Sequence, residues 1–208
     1  MGLKKWNDLP EFMKCDEVKE YYEILSHKKG SLVLKRIFDI AVGIILLVLL
    51  AIPMLIIAMM VKIDSKGPIF YRQERVTKYG KTFRIHKFRT MVNNADKIGT
   101  AVTVGGDSRI TKVGAKIRDY RLDELPQLFD VISGNMSFVG TRPEAIKYVE
   151  KYSKEMFATF LLPAGITSEA SIQYKDEANL LDKATDVDRM YVEKVLPEKM
   201  KYNLRSIK

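Results

Sequence analysis

The stretch Ile40–Val61, IAVGIILLVLLAIPMLIIAMMV, carries no charge and no side chain able to hydrogen-bond in hydrocarbon. As a straight helix it would reach about 33 Å, close to the thickness of a bilayer core. Pro53 is its one interruption. A proline inside a helix removes an amide donor and here crowds the carbonyl of Leu49, which kinks or breaks the helix. Lys35 and Arg36 precede the run, and Lys62 and Lys66 follow it. Short basic flanks favour the cytoplasmic side, so two of them predict an insert that enters and leaves by one face. A kinked transmembrane helix is the alternative on the same physics. A buried helix of a soluble core fits less well, because such helices seldom lack polar residues over so long a run. Asp39 lies three residues after Arg36, close enough to pair with it on one helix face. The run begins too late, and lacks the small-residue cleavage site, for a removable signal peptide.

The chain has 208 residues and a formal charge of +9, unevenly spread. Between Lys62 and Arg121 fifteen Lys and Arg stand against five Asp and Glu. A basic stretch directly after a membrane insert predicts contact with anionic headgroups or with anionic substrates. Nucleic acid is not expected as a partner, since no zinc-finger spacing, RNA-binding aromatic signature or helix-turn-helix pattern accompanies the charge. The single Cys15 excludes an internal disulfide and fits a reducing compartment. His27 and His86 are isolated and suggest no metal site.

Residues 1–34 mix acidic and basic residues with Trp6, Phe12, Tyr21, Tyr22, Ile24 and Leu25, and read as an extension holding a short amphipathic helix that ends near Gly30. Gly67-Pro68 marks a turn. Gly80 then separates Glu74-Arg75-Val76 from the alternating Thr82–Phe88, which predicts a small hairpin. Gly99–Gly114 reads as loop. Val149, Tyr152, Met156 and Phe160 recur at helical spacing after Pro143, predicting a helix from Ala145 that stops at Pro163-Ala164-Gly165. A last helix covers Val187, Met190, Tyr191 and Val195 until Pro197.

Three polar clusters carry the chemistry. In Arg121-Leu-Asp-Glu-Leu-Pro-Gln-Leu128 the leucines mark one helical face and Pro126 belongs near a helix start. Asp123 and Glu124 then lie at or just before the helix N-terminus, where free amides and the dipole attract phosphate. An adjacent acidic pair can hold a divalent cation while one carboxylate attacks phosphorus; it can equally be a plain acidic helix cap. In Gly140-Thr-Arg-Pro-Glu144 a glycine before Arg142 leads into a helix and can surround an anion. Lys87-Phe-Arg-Thr-Met91 and Gly106-Asp-Ser-Arg-Ile-Thr111 place Lys87, Arg89 and Arg109 among small polar residues, as diphosphate binding requires.

The order of these elements resembles the bacterial sugar transferases, the monotopic phosphoglycosyl transferases. It comprises Lys35-Arg-Ile-Phe-Asp39, Asp64-Ser-Lys-Gly-Pro68, Arg72-Gln-Glu-Arg75, Lys87-Phe-Arg-Thr-Met91, Leu122-Asp-Glu-Leu-Pro-Gln-Leu128 and Gly140-Thr-Arg-Pro-Glu144. The likeness runs from about Lys35 to Gly165 and looks like the small form of the family. It implies transfer of a sugar phosphate from a UDP-sugar to polyprenol phosphate at the cytoplasmic face of the inner membrane, with release of UMP. It also implies Asp123 as nucleophile and as a magnesium ligand with Glu124, and phosphate binding by Lys87, Arg89, Arg109 and Arg142. For the fold it implies α+β, mostly helical with a small β-hairpin, plus a re-entrant membrane helix broken at Pro53 and anchored by Lys35, Arg36 and Asp39. Three parts follow: an N-terminal extension over 1–34, the insert over 35–66 and a cytoplasmic catalytic domain over 67–208. A homo-oligomer is compatible with the sequence.

No phosphate loop of the GxxxxGK[ST] kind is present, and none is needed where one diphosphate bond is exchanged for another. Three departures from the family pattern stand out. Ile52 replaces the serine common before the proline, Thr141 stands where many relatives have proline, and Ser168-Glu-Ala-Ser-Ile-Gln-Tyr-Lys-Asp-Glu177 replaces a common Gly-Leu-Ala-Gln-Val continuation. The rival readings are a membrane-bound hydrolase that uses water as acceptor, and a non-catalytic membrane scaffold.

Overall fold

The structure is a computed structural model and describes residues 2–95, 107–174 and 186–208. Two short 3-10 turns, Trp6–Asp8 and Glu11–Met13, lead into α1 (Asp16–His27). The residues Val18, Tyr21 and Leu25 fall three and four apart on one face of α1, so that face is apolar and buries. They join Leu9 and Met13 against Phe160, Leu161, Leu204 and Ile207. The stretch read as an extension therefore forms part of the main core, and a boundary at residue 34 falls inside the next helix.

That helix, α2 (Lys29–Asp64), runs for 36 residues. It continues through Pro53, so the break expected there is corrected: the proline sits inside one helix. An apolar surrounding leaves backbone groups no partners except one another, which keeps the helical bonds closed on either side of the missing donor. It is long and apolar enough to cross a membrane. Ile44, Ile45, Val48, Leu49, Ile52, Leu55, Ile56, Met59 and Ile63 remain exposed along it. Its opposite face is used. Gly43 packs on Ile132 of the polar domain, and Met54, Ile57 and Val61 pack against Phe88 and Ile117.

The expected hairpin is present. β1 (Phe70–Val76) pairs antiparallel with β2 (Thr82–Phe88), in register from Phe70↔Phe88 to Val76↔Thr82. Half of the loop read over Gly99–Gly114 lies outside the described residues, and its end is helical instead: α3 (Lys112–Asp119) begins where the Thr111 hydroxyl caps the Gly114 amide. α4 (Gln127–Ser133) is followed by β3 (Met136–Val139). The helix expected from Ala145 to Phe160 is not continuous: α5 (Ile146–Val149) ends, and a 3-10 segment Glu155–Leu161 follows.

The strand β4 (Ala164–Thr167) pairs parallel with β3, a sheet with no signal in the sequence because each strand is four residues long. α6 (Glu169–Gln173), α7 (Val187–Met190), a π-helical turn Tyr191–Val195 and α8 (Leu196–Arg205) complete the chain. The helix does not stop at Pro197 as expected. Pro197 falls in the first turn of α8, where its missing N–H costs nothing.

Candidate active site

Period-two alternation along β2 divides its side chains between two tasks. Phe83 and Ile85 face Val131, Met136 and Ala164 in the core, and Lys87 on that face reaches a cavity. On the other face Phe88 packs against α2. Next to the strand, Arg121 adopts a left-handed backbone (φ 55°), strain that a non-glycine residue carries only where the surrounding structure demands it. This bend starts the 3-10 turn Leu122–Glu124, which leads through Pro126 into α4. The expectation that the acidic pair lies just before a helix is met.

The third contribution comes from the close crossing of Gly140 and Gly165. A Cβ on Gly165 would lie 2.2 Å from the Gly140 oxygen, so only glycine allows the approach. The Gly165 amide donates to the Thr141 oxygen at 2.8 Å, and the Gly140 amide to the Thr167 oxygen at 3.0 Å. Arg142 leaves this crossing in a non-helical segment, four residues before α5, so it does not begin a helix as expected.

These elements meet around Glu124. Lys87 Nζ donates to Glu124 Oε1 at 3.0 Å. Arg142 straddles the same carboxylate, with Nη1 3.2 Å from Oε2 and Nη2 on Oε1, and Nη1 also reaches the Ile166 oxygen at 3.2 Å. Burial favours a neutral Glu124, yet Lys87 and Arg142 outweigh it and hold its carboxyl down to about 2. Burial likewise pushes the Lys87 ammonium down, against the pull of Glu124.

Asp123 behaves differently. Its carboxylate has no cation within 4 Å among the described residues, and burial raises its pKa although Lys87 opposes this. A half-buried carboxylate without a fixed partner is free to bind or attack. For a cation, Asp123 is the available protein ligand, since both oxygens of Glu124 are occupied. Among the described residues no three His, Cys, Asp or Glu side chains converge as a ready cage. The set fits an ion such as Mg2+, which binds through one or two carboxylates and completes its shell with phosphate oxygens and water.

The cavity beside this pair measures about 800 Å³. Its wall carries Arg75, Lys87, Arg118, Arg121, Arg142 and Lys199 against Glu124 and Glu144, and Leu46 and Leu50 of α2 reach it from the apolar side. Two residues expected here are elsewhere. The Arg89 guanidinium, 4 % exposed, caps the end of α2. Its Nη2 reaches the Val61 oxygen at 3.2 Å, the Ser65 oxygen at 2.6 Å and Ser65 Oγ at 2.9 Å. Gly67 (φ +133°) is required beside it, because a Cβ there would meet Nη1 at 2.2 Å. Arg109 is held by Asp107 at 2.6–3.1 Å and by the Ala95 oxygen at 2.8 Å, outside the cavity wall.

The insert residues anchor α2. Arg36 donates to the Val131 and Ile132 oxygens at 2.6 and 2.8 Å, closing the end of α4. Asp39 does not pair with Arg36 as expected. It is buried, accepting from Ser137 Oγ at 2.8 Å and the Phe138 amide at 3.3 Å, with Lys35 at 3.3 Å. A helix side chain facing a packed domain takes the partners of that domain, and Arg36 faces different ones. His86, read as isolated, is bound through its amide and Nδ1 to the buried Asp130, 2.8 Å each, which ties β2 to α4. Gln127 and Glu144 were also missed; nothing local in the sequence marks either as lining a cavity.

With this geometry in view, the sequence model of the bacterial sugar transferases matches residues 30–201. The chain belongs to that family. Among curated relatives, a UDP-N-acetylgalactosamine-undecaprenyl-phosphate N-acetylgalactosaminephosphotransferase of Aeromonas hydrophila is 42 % identical over 59 % of this chain and 29 % of its own. A UDP-glucose:undecaprenyl-phosphate glucose-1-phosphate transferase of Klebsiella pneumoniae is 38 % identical over 78 % of this chain and 36 % of its own. An exopolysaccharide production protein of Rhizobium leguminosarum bv. phaseoli is 46 % identical over 56 % and 58 %. The chain thus spans about a third of the length of the first two sugar transferases. The family match covers every residue around Glu124 described above, with α2 from Gly30 onward.

Proposed function

We propose that this sugar transferase moves a sugar phosphate from a UDP-sugar onto polyprenol phosphate at the cytoplasmic membrane face, through a covalent adduct on Asp123. The observation that carries the reading is the Asp123 carboxylate, without a cation partner among the described residues, next to Glu124, which with Lys87 and Arg142 lines a cation-rich cavity that Asp123 itself does not line. Asp123 Oδ attacks the sugar-bearing phosphorus, the P–O bond to the nucleoside phosphate breaks, and UMP leaves. An oxygen of polyprenol phosphate then attacks the same phosphorus, the Asp123–P bond breaks, and a polyprenol diphosphate sugar is released with the carboxylate restored.

Two anionic substrates repel one another, and the cavity cations offset that repulsion. Glu124 is too acidic to take a proton near neutrality. It acts by holding Lys87 and Arg142 in place. Asp123 would hold a bound Mg2+, which would supply further neutralisation of the diphosphate.

The way α2 is tied down supports this membrane placement. Arg36 and Asp39 near one end, and Val61, Asp64 and Ser65 at the other, all contact the same polar domain. A straight helix between them would stretch about 42 Å. One domain cannot hold both ends of this unbroken helix across a bilayer, which supports a helix that meets the membrane from a single face. With Cys15 replaced by Ser, cysteines introduced at Gly30 and Lys66 are expected to label from the cytoplasmic side alone; labelling from opposite sides defeats this topology.

The chemistry is tested by mass spectrometry of the Asp123 peptide after incubation with Mg2+ and single UDP-sugars. A sugar-phosphate adduct is expected that disappears when polyprenol phosphate is added, and Asp123→Asn is expected to lower turnover about 10⁴-fold. UMP release that persists without acceptor favours the hydrolase reading. Unchanged activity in a folded Asp123→Asn protein sinks the mechanism.

A further inference from the structure

The same cavity holds a second polar cluster that transfer at Asp123 leaves unused. Glu144, Tyr191 and Lys199 are 8, 5 and 6 % exposed and all line the cavity. The Tyr191 hydroxyl donates to Glu144 Oε1 at 2.6 Å, and Lys199 Nζ lies 3.5 Å from the Tyr191 oxygen. The Tyr148 ring packs 4.6 Å from that of Tyr191. Glu144 Oε2 has no hydrogen-bond partner among the described residues. That oxygen is not among the sealed polar atoms left without a partner, so it opens to the cavity, where a ligand hydroxyl can donate to it.

The position fixes what that donor belongs to. Arg142 and Glu144 are two residues apart, so their Cα atoms lie within about 7 Å. A phosphate held by Arg142 therefore brings the ring esterified to it next to Glu144. Hydroxyl groups both donate and accept, and a carboxylate bridged by a phenol to an ammonium offers the complement of both. The tyrosine rings add an apolar wall for ring C–H groups. Tyr191 also opens a π-helical turn, a backbone form that recurs at functional sites.

We propose that Glu144, with Tyr191 and Lys199, forms a polyol subsite that binds vicinal hydroxyls of the donor and selects which donor is accepted. The inference rests on the UDP-sugar reading above. Vicinal hydroxyls come from two sources, the transferred sugar and the ribose, and the experiment separates them.

In an Asp123→Asn background, where donor binds without reacting, calorimetry gives the affinities of UDP-glucose, UDP-galactose, UMP and dUMP. Glu144→Gln and Tyr191→Phe are then added singly; the second keeps the ring packing and stands in if the first unfolds. A shift of about tenfold or more in the UDP-glucose to UDP-galactose ratio, with UMP unchanged, assigns the subsite to the sugar. A similar loss for UMP but not dUMP, with the ratio unchanged, assigns it to ribose. Equal losses for every ligand, or no change in either variant, overturn the proposal. Failure of any UDP-sugar to bind the Asp123→Asn protein overturns it together with the transfer reading. Adduct formation in wild-type protein, measured in parallel, reports on transfer alone.

Discussion

The corner around Glu124 and the foot of α2 around Arg89 are both built from cations packed among polar groups, yet they spend charge differently. At Glu124, Lys87 and Arg142 share one carboxylate on a cavity wall that carries six Lys and Arg against two Glu. At the foot of α2, the Arg89 guanidinium faces the Val61 and Ser65 carbonyls, where helix ends leave backbone acceptors without partners. Its Nε and Nη1 are buried without partners among the described residues, and so add nothing to a substrate site. Surplus charge facing a cavity serves binding, whereas charge sealed against a helix end serves attachment.

Removing each arginine separates the two roles. Arg142→Met is expected to lower kcat/KM for UDP-sugar about 10²–10³-fold, because it deletes a cation of the cavity wall and loosens Glu124. The fold is expected to survive, which circular dichroism and thermal melting check. A loss of less than tenfold would place Arg142 outside the reaction. Arg89→Met reverses the pattern. It removes three hydrogen bonds to a charged donor and is expected to lower stability by about 2–3 kcal/mol in denaturant titration. Adduct formation on the protein that stays folded should fall less than tenfold; a collapse of adduct formation with stability intact would erase the contrast.

The smallest expected effect is a shift along the pH axis. In the proposed reaction Asp123 attacks only when ionised, and burial raises its pKa above the ordinary 3.8, so the acid limb of adduct formation is expected above that value. Lys87 favours the charged form, and Lys87→Met should therefore move the limb to higher pH. Glu124 adds no limb near neutrality. Its depressed pKa stabilises the fold above about pH 4.5, and that contribution is lost as pH falls toward about 2. A limb that moves to lower pH in Lys87→Met would mean that another group controls the reaction.

Much of this protein is legible in short stretches of chain. Alternation over Thr82–Phe88 marks β2, and the acidic pair before Pro126 marks the turn that leads into α4. What fails to read locally has a consistent cause. β3 and β4 are four residues each and exist only because they pair with one another. The spacing from Val149 to Phe160 fits a helix, yet Tyr152 and Phe160 stack on each other across a break between α5 and the 3-10 segment that follows.

By itself the sequence determined that α2 is an apolar helix, that a basic stretch follows it, and that Asp123 and Glu124 stand before a helix. Composition and periodicity act within a few residues and need no partner. Only the tertiary structure decided which cations serve the cavity. Arg89 and Arg142 have the same side chain, and a guanidinium goes to whichever acceptors the fold brings within hydrogen-bond reach: the Val61 and Ser65 carbonyls for one, the Glu124 carboxylate for the other.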